Sequence, residues 1–133
     1  MRELERRSTE EGVSTDALME RAGLLAARIA WKMLGEDAYG SRIIGLAGSG
    51  KHGSDGLVTA RHLQIWGART TVFLLAPRAP EDPKLLPASE VGVAVIEAND
   101  SSHLSDIQSE LSEAALVVDA VLGTGRFRPL EGI

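Results

Sequence analysis

The sequence predicts a three-layer α/β domain, with helices on the faces of a mainly parallel sheet. Three observations carry that prediction. Short apolar runs of four to six residues recur without polar alternation, as in strands buried on both faces. Helical patterns fill the intervals between them, and strand–helix–strand alternation implies parallel strands with right-handed crossovers. Glycine-rich turns follow the first and fourth runs, at the carboxyl ends of strands, where an open α/β sheet binds ligands.

In chain order, the opening twelve residues, MRELERRSTEEG, read as a polar helix in which Leu4 is the one large apolar residue after Met1, before Gly12 breaks it. Ser14, Thr15 or Asp16 then offers an N-cap for a helix over ALMERAGLLAARIAWKML. Within it Leu18, Ala22, Leu25, Ile29 and Met33 recur at spacings of three and four, which predicts a stripe facing the core. Gly35 and GEDAYGS end that helix. Four strands are expected at 42–47, 71–76, 91–96 and 116–121. After the first strand comes a crossover helix with Leu57, Ala60, Leu63 and Gly67 along one face. The linker APRAPEDPKLLPASE carries Pro77, Pro80, Pro83 and Pro87, so only a short or kinked helix fits there. Ser101 or Ser102 is the expected cap of the last helix, HLSDIQSELSEA. The sequence stops soon after the fourth strand and its glycine loop, so the domain, residues 1–133, is expected to be incomplete at its C-terminus, with its remaining part missing. An unpaired edge strand there is an association hazard.

Bulk composition excludes several function classes. A length of 133 residues suffices for one domain with a hydrophobic core, and 44% apolar with 25% charged residues is ordinary for a globular protein. A net charge of −5 argues against a nucleic-acid partner, because phosphate binding shows as a basic face. The absence of cysteine rules out disulfides and thiolate metal sites, and three scattered histidines do not form a zinc site. No apolar run approaches the roughly 18 residues that span a bilayer. The charged start lacks the apolar core of a signal peptide. The expectation is a cytoplasmic domain with no membrane partner.

The first glycine turn, GLAGSGKHGSDG from Gly45 to Gly56, comes within one residue of the phosphate loop G-x-x-x-x-G-K-[ST]. His52 stands in the hydroxyl position and has no oxygen for a magnesium ion. Gly53 and Gly56 would each cost about 1 kcal/mol inside a helix. The expected helix start is therefore Ser54 or Asp55, after a loop from Gly48 to Gly53. GSGKHG also matches G-x-G-x-x-G between a strand and a helix, where a dinucleotide pyrophosphate docks. No acidic residue ends the second strand to hold a ribose. That leaves a nucleotide-sized ligand, with an NTPase as a remote alternative.

The second glycine turn, VVDAVLGTGRFRP, places Asp119 inside an apolar run. A buried carboxylate there needs a partner, either a helix end or loop amides, or a cation. The amides of the GTG turn and the guanidinium groups of Arg126 and Arg128 suit a phosphate. With a strand order 3-2-1-4, both turns face one crevice.

Three blocks together resemble the YjeF N-terminal domain family, whose enzymatic members are NAD(P)HX epimerases. They are MRELERRSTEEGVSTDALMERAG at 1–23, GSGKHGSDGLVTARHL at 48–63, and VVDAVLGTG at 117–125. The family patterns are an LMERAG-type segment, G-x-G-N-N-G-G-D-G-[LY]-V-x-A-R-x-L, and V-D-A-[LV]-[LF]-G-T-G. The resemblance implies a Rossmann-like fold and usually a homodimer. It implies interconversion of the R and S hydrates of NADH and NADPH (NADHX and NADPHX), in support of an ADP- or ATP-dependent dehydratase that is often a C-terminal domain of the same chain. It places substrate contacts on Lys51, His52, Gly53, Ser54 and Asp55, and on Gly123, Thr124, Gly125, Arg126, Phe127, Arg128 and Pro129. Potassium ligands fall on His52 and Asp119. Asp55 is the candidate acid/base, with an N-cap as its alternative and Asp119 as its competitor.

This sequence departs from the family in one stretch that matters. Lys51-His52-Gly53-Ser54 replaces Asn-Asn-Gly-Gly. Imidazole is a poor ligand for a hard cation, and the Lys51 ammonium is a point charge that can stand in for one or meet a diphosphate. The later D-[IV]-P-S-G motif of the family lies beyond Ile133. The alternative reading is a catalytically impaired nucleotide-binding or scaffold module.

Overall fold

The computed structural model describes residues 14–98 and 100–121. The expected N-terminal polar helix and the turn from Gly123 to Pro129 lie outside the described residues. Four strands, β1 (Arg42–Ala47), β2 (Arg69–Leu74), β3 (Ala94–Glu97) and β4 (Leu116–Ala120), form one sheet in the order β3-β2-β1-β4. All three pairings are parallel. The helices are α1 (Thr15–Leu34), α2 (Gly50–Trp66), α3 (Leu85–Glu90) and α4 (Leu104–Glu113).

Each face of the sheet takes its own helices. Ile43, Ala47, Val72 and Leu74 pack against Leu57, Ala60 and Leu63 of α2 and against Leu85 and Ala88 of α3. Ile44, Leu46 and Phe73 face the other way, onto Ile107 and Leu111 of α4. The central strands β1 and β2 are covered on both faces, as their unbroken apolar runs predict. The outer strands are not: Val117 of β4 is 44% exposed and Ile96 of β3 is 38% exposed, among the described residues. The strands at 71–76 and 91–96 also shift, β2 beginning two residues earlier and β3 three later. Val91 and Gly92 instead form the turn after α3, with Gly92 at φ +103° ending the helix and Pro87 tolerated in its first turn.

Helix α1 corrects the largest misreading of the sequence. Its N-cap is Ser14, whose hydroxyl accepts the Ala17 N–H at 3.0 Å, a contact worth about 1 kcal/mol. The stripe at spacings of three and four does not face the core. Leu25, Ile29 and Met33 are 50, 63 and 72% exposed, and the buried residues of α1 are Gly23, Ala27 and Ala30. Small residues face inward because α1 crosses α2 at close range. A Cβ on Gly23 would lie 2.5 Å from Val58 Cβ and 3.2 Å from the Thr59 backbone nitrogen. Thr59 Oγ1 donates to the Gly23 carbonyl at 3.2 Å across the same crossing. Gly23→Ala is therefore expected to destabilise the fold by about 1–3 kcal/mol, the usual range for overpacking, read as a lower urea midpoint. An unchanged midpoint would show that the crossing has slack.

The last helix is capped differently from expectation. A short 3-10 turn, Ser101–His103, leads into α4, and the Asp100 carboxylate accepts the Ser102 N–H at 2.9 Å. Asp100 thus caps the 3-10 turn, and α4 itself begins after His103 with no side-chain cap, so neither serine caps it. No helix among the described residues is long and apolar enough to cross a membrane.

Candidate active site

The carboxyl edge of β1 leads directly into the first glycine turn. Ser49, extended at φ −79° and ψ 164°, is the N-cap, and α2 begins at Gly50, which takes φ +72°. The helix thus starts four residues before the expected Ser54. Its register is that of a phosphate loop, and what separates it from one is the missing hydroxyl at His52.

The helix runs through Gly53 and Gly56 because both are sites of close approach. A Cβ on Gly53 would strike the Gly48 carbonyl and come 2.5 Å from Arg78 Nη2. One on Gly56 would come 2.6 Å from the Ala120 side chain of β4. The packing gained outweighs a helix penalty of about 1 kcal/mol per glycine. Gly48 is pinned in turn: its N–H donates to the Ala120 carbonyl at 3.0 Å. The first turn is thereby tied to the root of the second.

Asp55 sits in the second turn of α2, which removes the N-cap alternative. It is half-buried, and its Oδ1 is buried with no hydrogen-bond partner among the described residues. Burial pushes its carboxyl above the ordinary value, against the opposing charges of His52, Lys84 and Lys51. A carboxyl with one uncommitted oxygen and a raised pKa is suited to holding and passing a proton.

One of these charges, Lys84, belongs to a second network that the sequence reading did not find. Lys84, whose side chain is 6% exposed, meets Asp16 Oδ1 and Glu20 Oε2, each at 2.6 Å. Glu20 is also gripped by Arg61, whose Nη1 lies 3.3 Å from Oε2 and whose Nη2 pairs with Oε1. The Arg61 contact, then Lys84, holds the Glu20 carboxyl down at about 2 despite its burial. Glu20 belongs to the LMERAG segment, so its position was visible; its partners are 41 and 64 residues away and were not.

The other predicted residues divide. Lys51 is exposed and His52 half-buried in the first turn of α2. Ser54 is buried, donating to the Gly50 carbonyl at 3.2 Å and accepting from Arg78 Nη1 at 3.0 Å. Asp119 is exposed among the described residues, not buried, and its Oδ1 accepts the Val121 N–H at 3.1 Å. The loop-amide reading of Asp119 is thus observed. It shares a register with Leu46, on the α4 side of the sheet, whereas Asp55 rides on α2 across the other face. No group of three or more His, Asp or Glu side chains among the described residues is arranged to hold a metal. Of the two expected potassium ligands, His52 offers a nitrogen and Asp119 an oxygen already engaged with an amide. Of that pair, the Asp119 carboxylate, with its second oxygen, suits a hard monovalent cation and the His52 nitrogen does not. Gly123 to Pro129 lie outside the described residues.

A parallel sheet ordered β3-β2-β1-β4, with a glycine turn leaving β1 and a half-buried carboxylate on the helix that follows it, defines a Rossmann-like α/β domain. Comparison with known proteins narrows the class. The family description "YjeF-related protein N-terminus" matches residues 15–133, and the chain belongs to that family. A protein of Thermofilum pendens named bifunctional NAD(P)H-hydrate repair enzyme Nnr is 39% identical over 98% of this chain and 25% of its own. The NAD(P)H-hydrate epimerase of Schizosaccharomyces pombe is 36% identical over 83% of this chain and 45% of its own. The crystal structure of yeast ynu0 superposes with a TM-score of 0.68 at 26% identity, over 90% of this chain and 52% of that one. The chain thus spans a quarter to about half of the length of these relatives.

Proposed function

We propose that this chain is an NAD(P)H-hydrate epimerase, interconverting the R and S hydrates of NADH and NADPH in the cytoplasm. The observation that carries the reading is Asp55, a carboxyl with a raised pKa and an unpartnered buried oxygen beside a glycine turn. The substrate's reacting carbon bears a hydroxyl next to the ring nitrogen. Protonated Asp55 gives its proton to that hydroxyl, which leaves as water while the nitrogen lone pair stabilises the ring cation. The carboxylate then takes a proton from water adding to the opposite face, which restores the acid and inverts the centre. The first-turn amides of α2 and the helix dipole suit the substrate diphosphate, with Lys51 as an added point charge and Gly123 to Pro129 as the second contact.

Family membership and the names of the relatives support the reaction class. The bifunctional names support a dehydratase, attached or separate, that consumes one hydrate. The exposed stripe Leu25, Ile29 and Met33 supports a homodimer, since soluble proteins seldom leave such a helix face open. A second reading, a nucleotide-binding scaffold module, is favoured by Lys51 and His52 standing where the family pattern has Asn-Asn.

The test is the rate at which pure R-NADHX approaches the R/S equilibrium with the protein present, in potassium and in sodium at equal ionic strength. Acceleration to the same extent in both salts is expected, because His52 is no potassium ligand. No acceleration by a folded protein would leave the scaffold reading. Activity confined to potassium would show that the cation site survives without the asparagine.

A further inference from the structure

Arg78 occupies a place that neither its linker position nor the family pattern marks. It follows β2 in the proline-rich segment, yet its side chain is 7% exposed. Its Nη2 donates to the carbonyls of Gly50 at 2.6 Å and Gly48 at 3.3 Å. Its Nη1 donates to Ser54 Oγ at 3.0 Å and to Asp82 Oδ2 at 3.2 Å. Asp82 is fixed in turn by the backbone N–H groups of Lys84 at 2.9 Å and Leu85 at 3.1 Å. The guanidinium therefore spans from a braced carboxylate to three residues of the glycine turn.

The consequence lies in peptide geometry. No peptide bond among the described residues is cis, and in a trans peptide the C=O and N–H point in opposite directions. With the Gly48 and Gly50 carbonyls drawn onto Arg78, the amides of Ser49 and Lys51 are turned to the side away from it. Gly50, at φ +72°, and Gly53, against the guanidinium, provide the backbone freedom and the space that this arrangement requires. Without Arg78 the Gly48 carbonyl loses this donor and the Gly50 carbonyl keeps the Ser54 hydroxyl and its place in the first turn of α2, so the glycine turn would hold its orientation less tightly.

We propose that Arg78 is a positioning residue for the substrate turn. It holds the peptides 48–49 and 50–51 in the orientation that presents their amides to an anionic ligand, a nucleoside diphosphate on the reading above. It acts through the turn and contacts no substrate. The ligand identity rests on the proposed function; the orienting role does not.

Amide hydrogen exchange across residues 49–54, measured beside NADH affinity, tests this in the wild type, Arg78→Met and Arg78→Lys. In R78M, exchange in the turn is expected to rise at least tenfold while amides of β1 and β2 keep their wild-type rates, and NADH is expected to bind at least tenfold more weakly. R78K keeps the charge but has one nitrogen for contacts shared between two, so partial recovery is expected; it carries the same comparison if R78M does not fold. Wild-type exchange in the turn of a folded R78M or R78K would overturn the proposal, as would faster exchange spread evenly over the sheet. If the turn responds but wild-type protein does not bind NADH, the orienting role stands and the nucleotide reading fails.

Discussion

Asp55→Asn is expected to lower the rate of hydrate epimerisation by roughly 10²–10⁴-fold, the range for loss of a general acid/base, and to leave the protein at least as stable at neutral pH. The two halves of that result have one cause. Burial raises the Asp55 pKa, so between the ordinary carboxylate value of 3.8 and its raised one the folded state holds the proton more tightly than the unfolded state. Stability then falls as pH rises through that window, and above it the carboxylate is a standing cost to the fold. Asparagine removes the charge, and with it the cost. The melting temperature of D55N should therefore exceed that of the wild type at neutral pH, and the difference should close as pH falls below 3.8. A variant that loses activity and is also less stable at neutral pH would place Asp55 in the scaffold.

How much of this was legible beforehand follows from which interactions are local. The positions of β1 and β4 came from apolar runs, a property each strand carries in its own residues, whereas the order β3-β2-β1-β4 entered as the premise of a Rossmann-type arrangement and is supplied by the structure. The face of α1 did not. Its large apolar residues have helical period, but the side that packs is chosen by how closely α2 approaches, and Gly23, Ala27 and Ala30 permit that approach. Propensity also misplaced the start of α2, because Gly53 and Gly56 look like helix breakers until the Gly48 carbonyl, Arg78 and Ala120 are seen against them. Asp119 looked buried from its neighbours, yet β4 has one face open among the described residues. Asp55 was found from the family pattern, whereas Arg78, 24 residues from the Ser54 it binds, had no local signature.

Glu20→Gln is expected to cost about 2–4 kcal/mol at neutral pH. Breaking a buried ion pair from one side typically costs about 3–5 kcal/mol, and the Glu20 side chain, 32% exposed, warrants a discount for solvent screening. The cost arises from the partners left behind. Lys84 and Arg61 are 6 and 17% exposed, and Asp16, the remaining carboxylate on Lys84, is 66% exposed. The pH dependence separates this from a packing defect, since glutamine keeps the shape. Glu20 is held at about 2, below its ordinary 4.5, so its contribution is complete above 4.5 and is lost as pH falls through 2. The gap in urea midpoint between wild type and E20Q should be widest near neutrality and narrow steadily from pH 4.5 toward 2. A gap that stays constant over that range would mean that charge is not its origin. The variant should also be felt at the active site. Lys84 already opposes the burial of Asp55, and with Glu20 neutral its charge is less compensated. The Asp55 carboxyl should then titrate at lower pH, so the falling limb of the epimerisation profile on the basic side should move to lower pH in E20Q. An unmoved limb in a folded variant would confine the Glu20 network to stability alone.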